Sequence, residues 1–166
     1  MRCLVGGVGR GLAALALLVG LVGCGQPEQP DEPANPPREG IRLELRVVDG
    51  QGQGTALEWQ GKRIQVREPS LISSADVVDV RSAMNDVSPS PGIQLRLDKA
   101  AGERLSAATA QLVGQQLAFS VDDRVLTVAT VMAPLGESMQ VTGLDSLQEA
   151  ADMVQHITGH APTPSR

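Results

Sequence analysis

The sequence predicts an α+β domain, an antiparallel sheet with two main helices packed on one face. Three observations carry this. Apolar residues alternate with polar ones at Ile41, Leu43, Leu45 and Val47, and again at Ile93, Leu95 and Leu97, the period of a strand with one wet face. Two later stretches place apolar residues at helical spacing. Between them, short strand-like runs are joined by turns, so the last third reads β-α-β-β-β-α, and hairpins with segregated helices make an α+β fold.

Taken in order, the chain begins with an address. Arg2 and Arg10 supply a positive region ahead of an apolar run, Leu12 to Val22, with no charge from Gly11 as far as Gly25. The run is shorter than the roughly 20 residues a spanning helix needs and has the shape of a secretory signal. It ends Leu21-Val22-Gly23-Cys24, which resembles the lipobox of bacterial lipoproteins. That resemblance implies removal of residues 1–23, acylation of Cys24, and attachment to a lipid bilayer. Gly25 stands where an Asp would signal inner-membrane retention, which favours the outer membrane of a Gram-negative cell. On that resemblance Cys3 would leave with the signal and Cys24 would be capped, so no thiol is expected for a nucleophile or a metal.

Residues 24–40 are expected to be a tether. Five of the 11 prolines lie here (Pro27, Pro30, Pro33, Pro36 and Pro37), among Gln and Glu, with nothing apolar to bury. Residues 41–92 supply the first strands and a short helix of the domain. Gly50 to Gly54 resembles a dinucleotide loop only in its glycines. No amphipathic helix follows, because Lys62 to Glu68 is another strand, and a hairpin loop is the reading. Ser73 with Asp76 three residues on caps a short helical turn. Asn85 to Pro91 is a loop.

Residues 93–158 are the most legible. Ala100 to Gln115 is helical, with Leu105, Ala108 and Leu112 on one face. Leu117 to Val121 and Arg124 to Val128 are strands around the turn Asp122-Asp123. Gln140 to Thr142 is a short strand. Asp145 or Ser146 caps a helix to about Ile157 that Gly159 ends, with Leu147, Ala150, Ala151, Val154 and Ile157 as its stripe. Residues 159–166 form a tail.

The composition excludes several functions. With 14 basic against 19 acidic residues, one Trp, one Phe and no Tyr, there is neither the charge nor the stacking surface for nucleic acid. His156 and His160 stand four apart like zinc ligands, but Gly159 interrupts the helix between them and no third ligand is near in sequence. Gly136-Glu137-Ser138-Met139-Gln140 begins like a nucleophile elbow without its final Gly. Asp122-Asp123 fits a turn better than a carboxylate pair. Arg42, Arg46, Arg63 and Arg67 line strands, as a positive face or as a solvated surface. No cofactor, metal or catalytic residue is expected. The alternative is an envelope hydrolase using a Ser with His156 or His160.

From Trp59 to Ile157 the chain resembles the first periplasmic domain of SecD, a membrane component that assists protein export, and its head subdomain most of all. The resemblance rests on Glu68-Pro69-Ser70-Leu71-Ile72-Ser73, on Ile93 to Leu97 with Gly102, Leu105 and Thr109, and on Gly114 to Asp122. It continues through Val125-Leu126-Thr127, Pro134, Gln140-Val141-Thr142-Gly143 and Glu149-Ala150-x-Asp152. The family has Asp-Gly where Asp122-Asp123 stands, and Ser-Ala-Pro where Thr127-Val128-Ala129 stands. Its members carry six membrane spans and move under proton flow. This chain has no spanning run after residue 25, so it is expected to keep the fold without the motor. The resemblance implies a domain that contacts a protein, an unfolded polypeptide or the export machinery.

Overall fold

The computed structural model describes residues 33–84 and 90–160. The signal segment, Cys24, most of the Asn85 to Pro91 loop and the tail from Ala161 lie outside the described residues.

The strands are β1 (Leu43–Val47), β2 (Thr55–Trp59), β3 (Lys62–Val66), β4 (Ile72–Ser73), β5 (Val77–Met84), β6 (Pro91–Leu97), β7 (Gln116–Val121), β8 (Arg124–Thr130) and β9 (Ser138–Thr142). The helices are α1 (Lys99–Ala110) and α2 (Leu147–Thr158). The C-terminal order β6-α1-β7-β8-β9-α2 is the one the periodicity predicts. The strands form three antiparallel sheets and not one. Their orders are β4-β1-β7-β8, the hairpin β2-β3, and β5-β6-β9.

Alternation explains the layers. Leu43, Leu45, Leu117, Phe119, Val121 and Leu126 face one core with Val80, Ile93, Leu95, Leu105, Val154 and Ile157. Phe119, the lone Phe, is 1% exposed at its centre. The opposite face of β7 and β8 presents Ala118 and Val125 to Leu57 and Val66, so the β2-β3 hairpin covers it as a second, smaller core. α2 turns Ala150, Met153, Val154 and Ile157 inward. Leu147, expected in that stripe, is 49% exposed, and Met153 fills the stripe instead.

Local chemistry sets the ends. Ser146 caps α2 by accepting from Glu149 N at 3.1 Å, and Gly159 ends it in the left-handed region. Asp98 caps α1 by accepting from Ala101 N at 2.8 Å. α1 stops at Ala110, short of the expected Gln115. Leu112 N and Gln115 N close successive turns onto Thr109 O and Leu112 O, and Gly114 N bonds out to Val131 O at 2.9 Å. Asp76 accepts from both the N–H and the hydroxyl of Ser73, at 2.8 and 2.9 Å, to fix a single 3-10 turn before β5.

The segment assigned to the tether is not free over its last residues. Asn35 O accepts from Val80 N at 2.9 Å, and Arg38 N donates to Ile157 O at 2.8 Å. Asn35 also donates from its backbone to Asp79 Oδ1 (2.8 Å) and from its amide to Val80 O (3.1 Å). Proline-rich composition disfavours helix and sheet but leaves carbonyls and the intervening N–H groups able to bond an open strand edge.

Candidate functional site

Where β8 and β9 leave their sheets they leave a groove. β8 is the outer strand of the four-stranded sheet and β9 the outer strand of the three-stranded one. At one end the two meet closely, because Gly143 packs against Leu126 O. At the other end they diverge into the loop between Val131 and Glu137. The opening is about 370 Å³, within the usual range for ligand sites, and Leu45, Leu117 and Phe119 contribute to its lining. Met139, Leu135 and Met132 also line it, and Met132 is 83% exposed.

The loop is held while its tip stays bare. Val131 N bonds to Gln115 O at 2.9 Å, and Leu97 N to Glu137 O at 2.7 Å. Leu135 N donates to the buried hydroxyl of Thr109 at 2.9 Å, which in turn donates to Leu105 O at 2.7 Å. Met132, Ala133 and Pro134 are exposed between these fixed points. Among the described residues, the polar side chains in the lining are Thr127, Thr130 and Gln140. None of the described lining residues is an acid, base or cation, so the lining suits an apolar chain and not general acid–base chemistry. Flanking strand edges suit an extended peptide, and methionines adapt to varied apolar side chains.

Nothing in the sequence reading singled out this groove. The available signal was Val131-Met132-Ala133-Pro134-Leu135, five uncharged apolar residues in a loop, where polar residues are the rule.

The residues weighed for chemistry go elsewhere. His156 Nε2 lies 2.9 Å from Asp122 Oδ2, joining α2 to the β7-β8 turn. His160 donates its backbone N–H to Thr158 Oγ1 at 3.2 Å. Ser138 opens strand β9, not a strand-to-helix turn. Among the described residues no three His, Cys, Asp or Glu converge on a metal position. Asp122 and Asp123 are the two central residues of the hairpin turn, both at positive φ, as the mirror-type hairpin turn requires. A shallow concavity beside them holds Arg124, Glu149, Asp152 and His156. Arg124 contacts Glu149 at 2.8 Å, and Asp152 accepts from the Gln148 amide at 2.8 Å. The Arg42 backbone N–H, then His156, hold the Asp122 carboxyl below its ordinary value. The Asp145 N–H, then Arg124, do the same for Glu149. Both are carboxylates at neutral pH.

The arginines form no positive face. Arg42 pairs with Asp123, Arg46 is buried between Glu44 and Glu68, and Arg67 reaches Gln115 and Asp49. Arg63 lies across from Glu58 in the β2-β3 register. Gly50 to Gly54 links β1 to β2, with Gly54 at φ 127° against Val66 O.

Comparison with known proteins bears on the fold and the family. The chain is 25% identical over 148 residues to the protein translocase subunit SecD of Pseudomonas aeruginosa, covering 67% of this chain and 23% of that protein. It is 29% identical over 104 residues to the SecD subunit of Aquifex aeolicus, covering 59% and 21%. It therefore spans about a quarter or less of these relatives. A solved structure of SecDF, described as a membrane component that enhances protein export, superposes with a TM-score of 0.57 at 21% identity. That superposition covers 74% of this chain and 65% of the other. SecDF in a super-membrane-facing form gives 0.56, over 74% and 20%. These likenesses show the fold. The family model for the SecDF P1 head subdomain matches residues 49–161, reaching back past Trp59 to include the β2-β3 hairpin. The chain belongs to the SecDF P1 head subdomain family.

Proposed function

We propose that this protein is a lipoprotein of the bacterial cell envelope, acylated at Cys24. Its SecD-like domain faces the periplasm or exterior and binds an extended apolar polypeptide without catalysis, as an accessory to protein export. The observation that carries this is the groove between the edges of β8 and β9, apolar in its floor and bare at Met132. Main-chain bonds from either edge would give affinity, and alternate side chains would enter the apolar space. The relatives' role in translocation supports an export partner. The lipobox supports the anchor, on the outer membrane where the cell has one, since several acyl chains at about 0.8 kcal/mol per buried CH₂ attach stably. His156 meets Asp122 as the His and Asp of a triad would, but none of the described residues lining their concavity is a Ser, so the hydrolase alternative lacks a nucleophile there.

The test is site-specific photocrosslinking in living cells. A photoreactive residue at Met132 or Met139 is expected to capture polypeptide, and one at Lys62 on the far hairpin is not. Equal capture at all three positions, or none at any, would end the groove reading. Cys24→Ala is expected to abolish lipid labelling and membrane retention.

A further inference from the structure

Residues 33–40 and the groove lie on opposite margins of one sheet. Asn35 bonds to Val80 on the outer edge of β5. In the sheet register Val80 stands opposite Leu95, and Leu95 opposite Met139. Met139 lines the groove. A single row of residues, Asn35, Val80, Leu95 and Met139, thus crosses from the strap to the groove, about 14 Å at the usual strand spacing.

The attachment is built from several bonds. Asp79, 8% exposed, accepts from the Asn35 N–H and pairs with Arg81 at 2.8 Å. Arg81 also donates to Pro33 O at 3.2 Å. Arg38 N–H caps the Ile157 carbonyl near the end of α2. These bonds cover a strand edge that would otherwise be open to pairing. They also shorten the leash. From Cys24 to Pro33 the chain reaches about 30 Å at most, against about 60 Å if it ran free to Ile41.

We propose that Pro33 to Gly40 is a strap that makes the lipid leash leave the domain from the β5 edge, the margin opposite the apolar groove, and holds the domain within about 30 Å of the membrane. This rests on acylation of Cys24. The groove then meets chains arriving from the aqueous side, not segments lying in the bilayer beneath the domain.

The full-length protein would be reconstituted in phosphatidylethanolamine–phosphatidylglycerol vesicles carrying an acceptor-labelled lipid, with a donor at Glu39→Cys or Met132→Cys. Energy transfer is expected to be higher from position 39 than from 132. In the double variant Asn35→Pro/Arg38→Pro, which removes both strap N–H donors, the two are expected to converge. Hydrogen exchange at the Asn35 and Arg38 amides of the unlabelled protein is expected to be slowed relative to an unstructured peptide of residues 33–40. Acyl labelling of Cys24 is read in parallel. Acylated protein with unprotected strap amides would overturn this proposal alone, as would equal transfer from both positions. Protected strap amides without acylation would overturn the anchor reading, and the orientation with it.

Discussion

Gly143, just after β9, lies so close to β8 that a Cβ on it would stand 2.5 Å from the Leu126 carbonyl oxygen. Its φ of 113° is closed to ordinary side chains. The two sheet edges meet at this point and separate beyond it, so the glycine sets where the groove closes. Gly143→Ala combines a strained backbone with a clash against a carbonyl. It is expected to lower stability by about 2 kcal/mol, read as a fall in the urea midpoint. Crosslinking from Met132 is expected to fall by more than the unfolded fraction accounts for.

Thr109 ties the groove loop to α1. Its hydroxyl is fully buried, accepts from Leu135 N and donates to Leu105 O. Thr109→Val keeps the shape and removes the acceptor, stranding the Leu135 N–H. A loss of about 1–3 kcal/mol is expected, with faster hydrogen exchange at Leu135. Thr109→Ser is expected to preserve the slow exchange, because it keeps the hydroxyl.

Periodicity made β1, β6 and α2 legible, because each buries mainly one face and its apolar residues recur accordingly; the β7-β8 hairpin, whose β7 is buried on both faces, was legible from its short strand-like runs on either side of Asp122-Asp123. Ser146 and Gly159 were readable as caps for the same local reason. What the sequence concealed was long range. One sheet became three because β4 pairs with β1 across the intervening hairpin, and β9 joins β6 after two strands of another sheet. The groove is made by two edges that do not pair, and no local pattern encodes an absent partner. The Asn35 attachment was hidden because its acceptor, Val80, is forty-five residues away.

Acid should loosen the joint between β1, the hairpin turn and α2. Asp122 accepts from the Arg42 N–H at 3.0 Å and faces His156, which lowers its folded pKa. Burial of Asp76 acts to raise its pKa and is outweighed by the Ser73 bonds and Arg104, so its net shift is also downward. A carboxyl with a folded value below its unfolded one contributes stability above the unfolded value of about 3.9. That contribution is lost as pH falls through the folded value. Thermal midpoints are therefore expected to hold near neutrality and to drop below about pH 4. Asp122→Asn is expected to flatten part of that drop, while an unchanged acid limb in both Asp122→Asn and Asp76→Asn would contradict the assignment.

Arg46 is a buried charge on β1, 7% exposed. Its guanidinium contacts Glu44 and, at 3.4 Å, Glu68, and its Nε has no hydrogen-bond partner among the described residues. An enclosed ion pair with an unbonded donor is a poor source of net stability, because desolvation offsets the attraction. Removing one partner is different, because Glu44 would keep its charge in a half-buried place. Arg46→Met alone is expected to lower stability by about 1–3 kcal/mol. The double variant Arg46→Met/Glu44→Gln is expected to recover most of that loss, since the amide needs no counter-charge. The comparison of the two by urea denaturation separates the readings. If the double variant is as unstable as the single, Arg46 acts by packing its stem against the strand and not by neutralising Glu44.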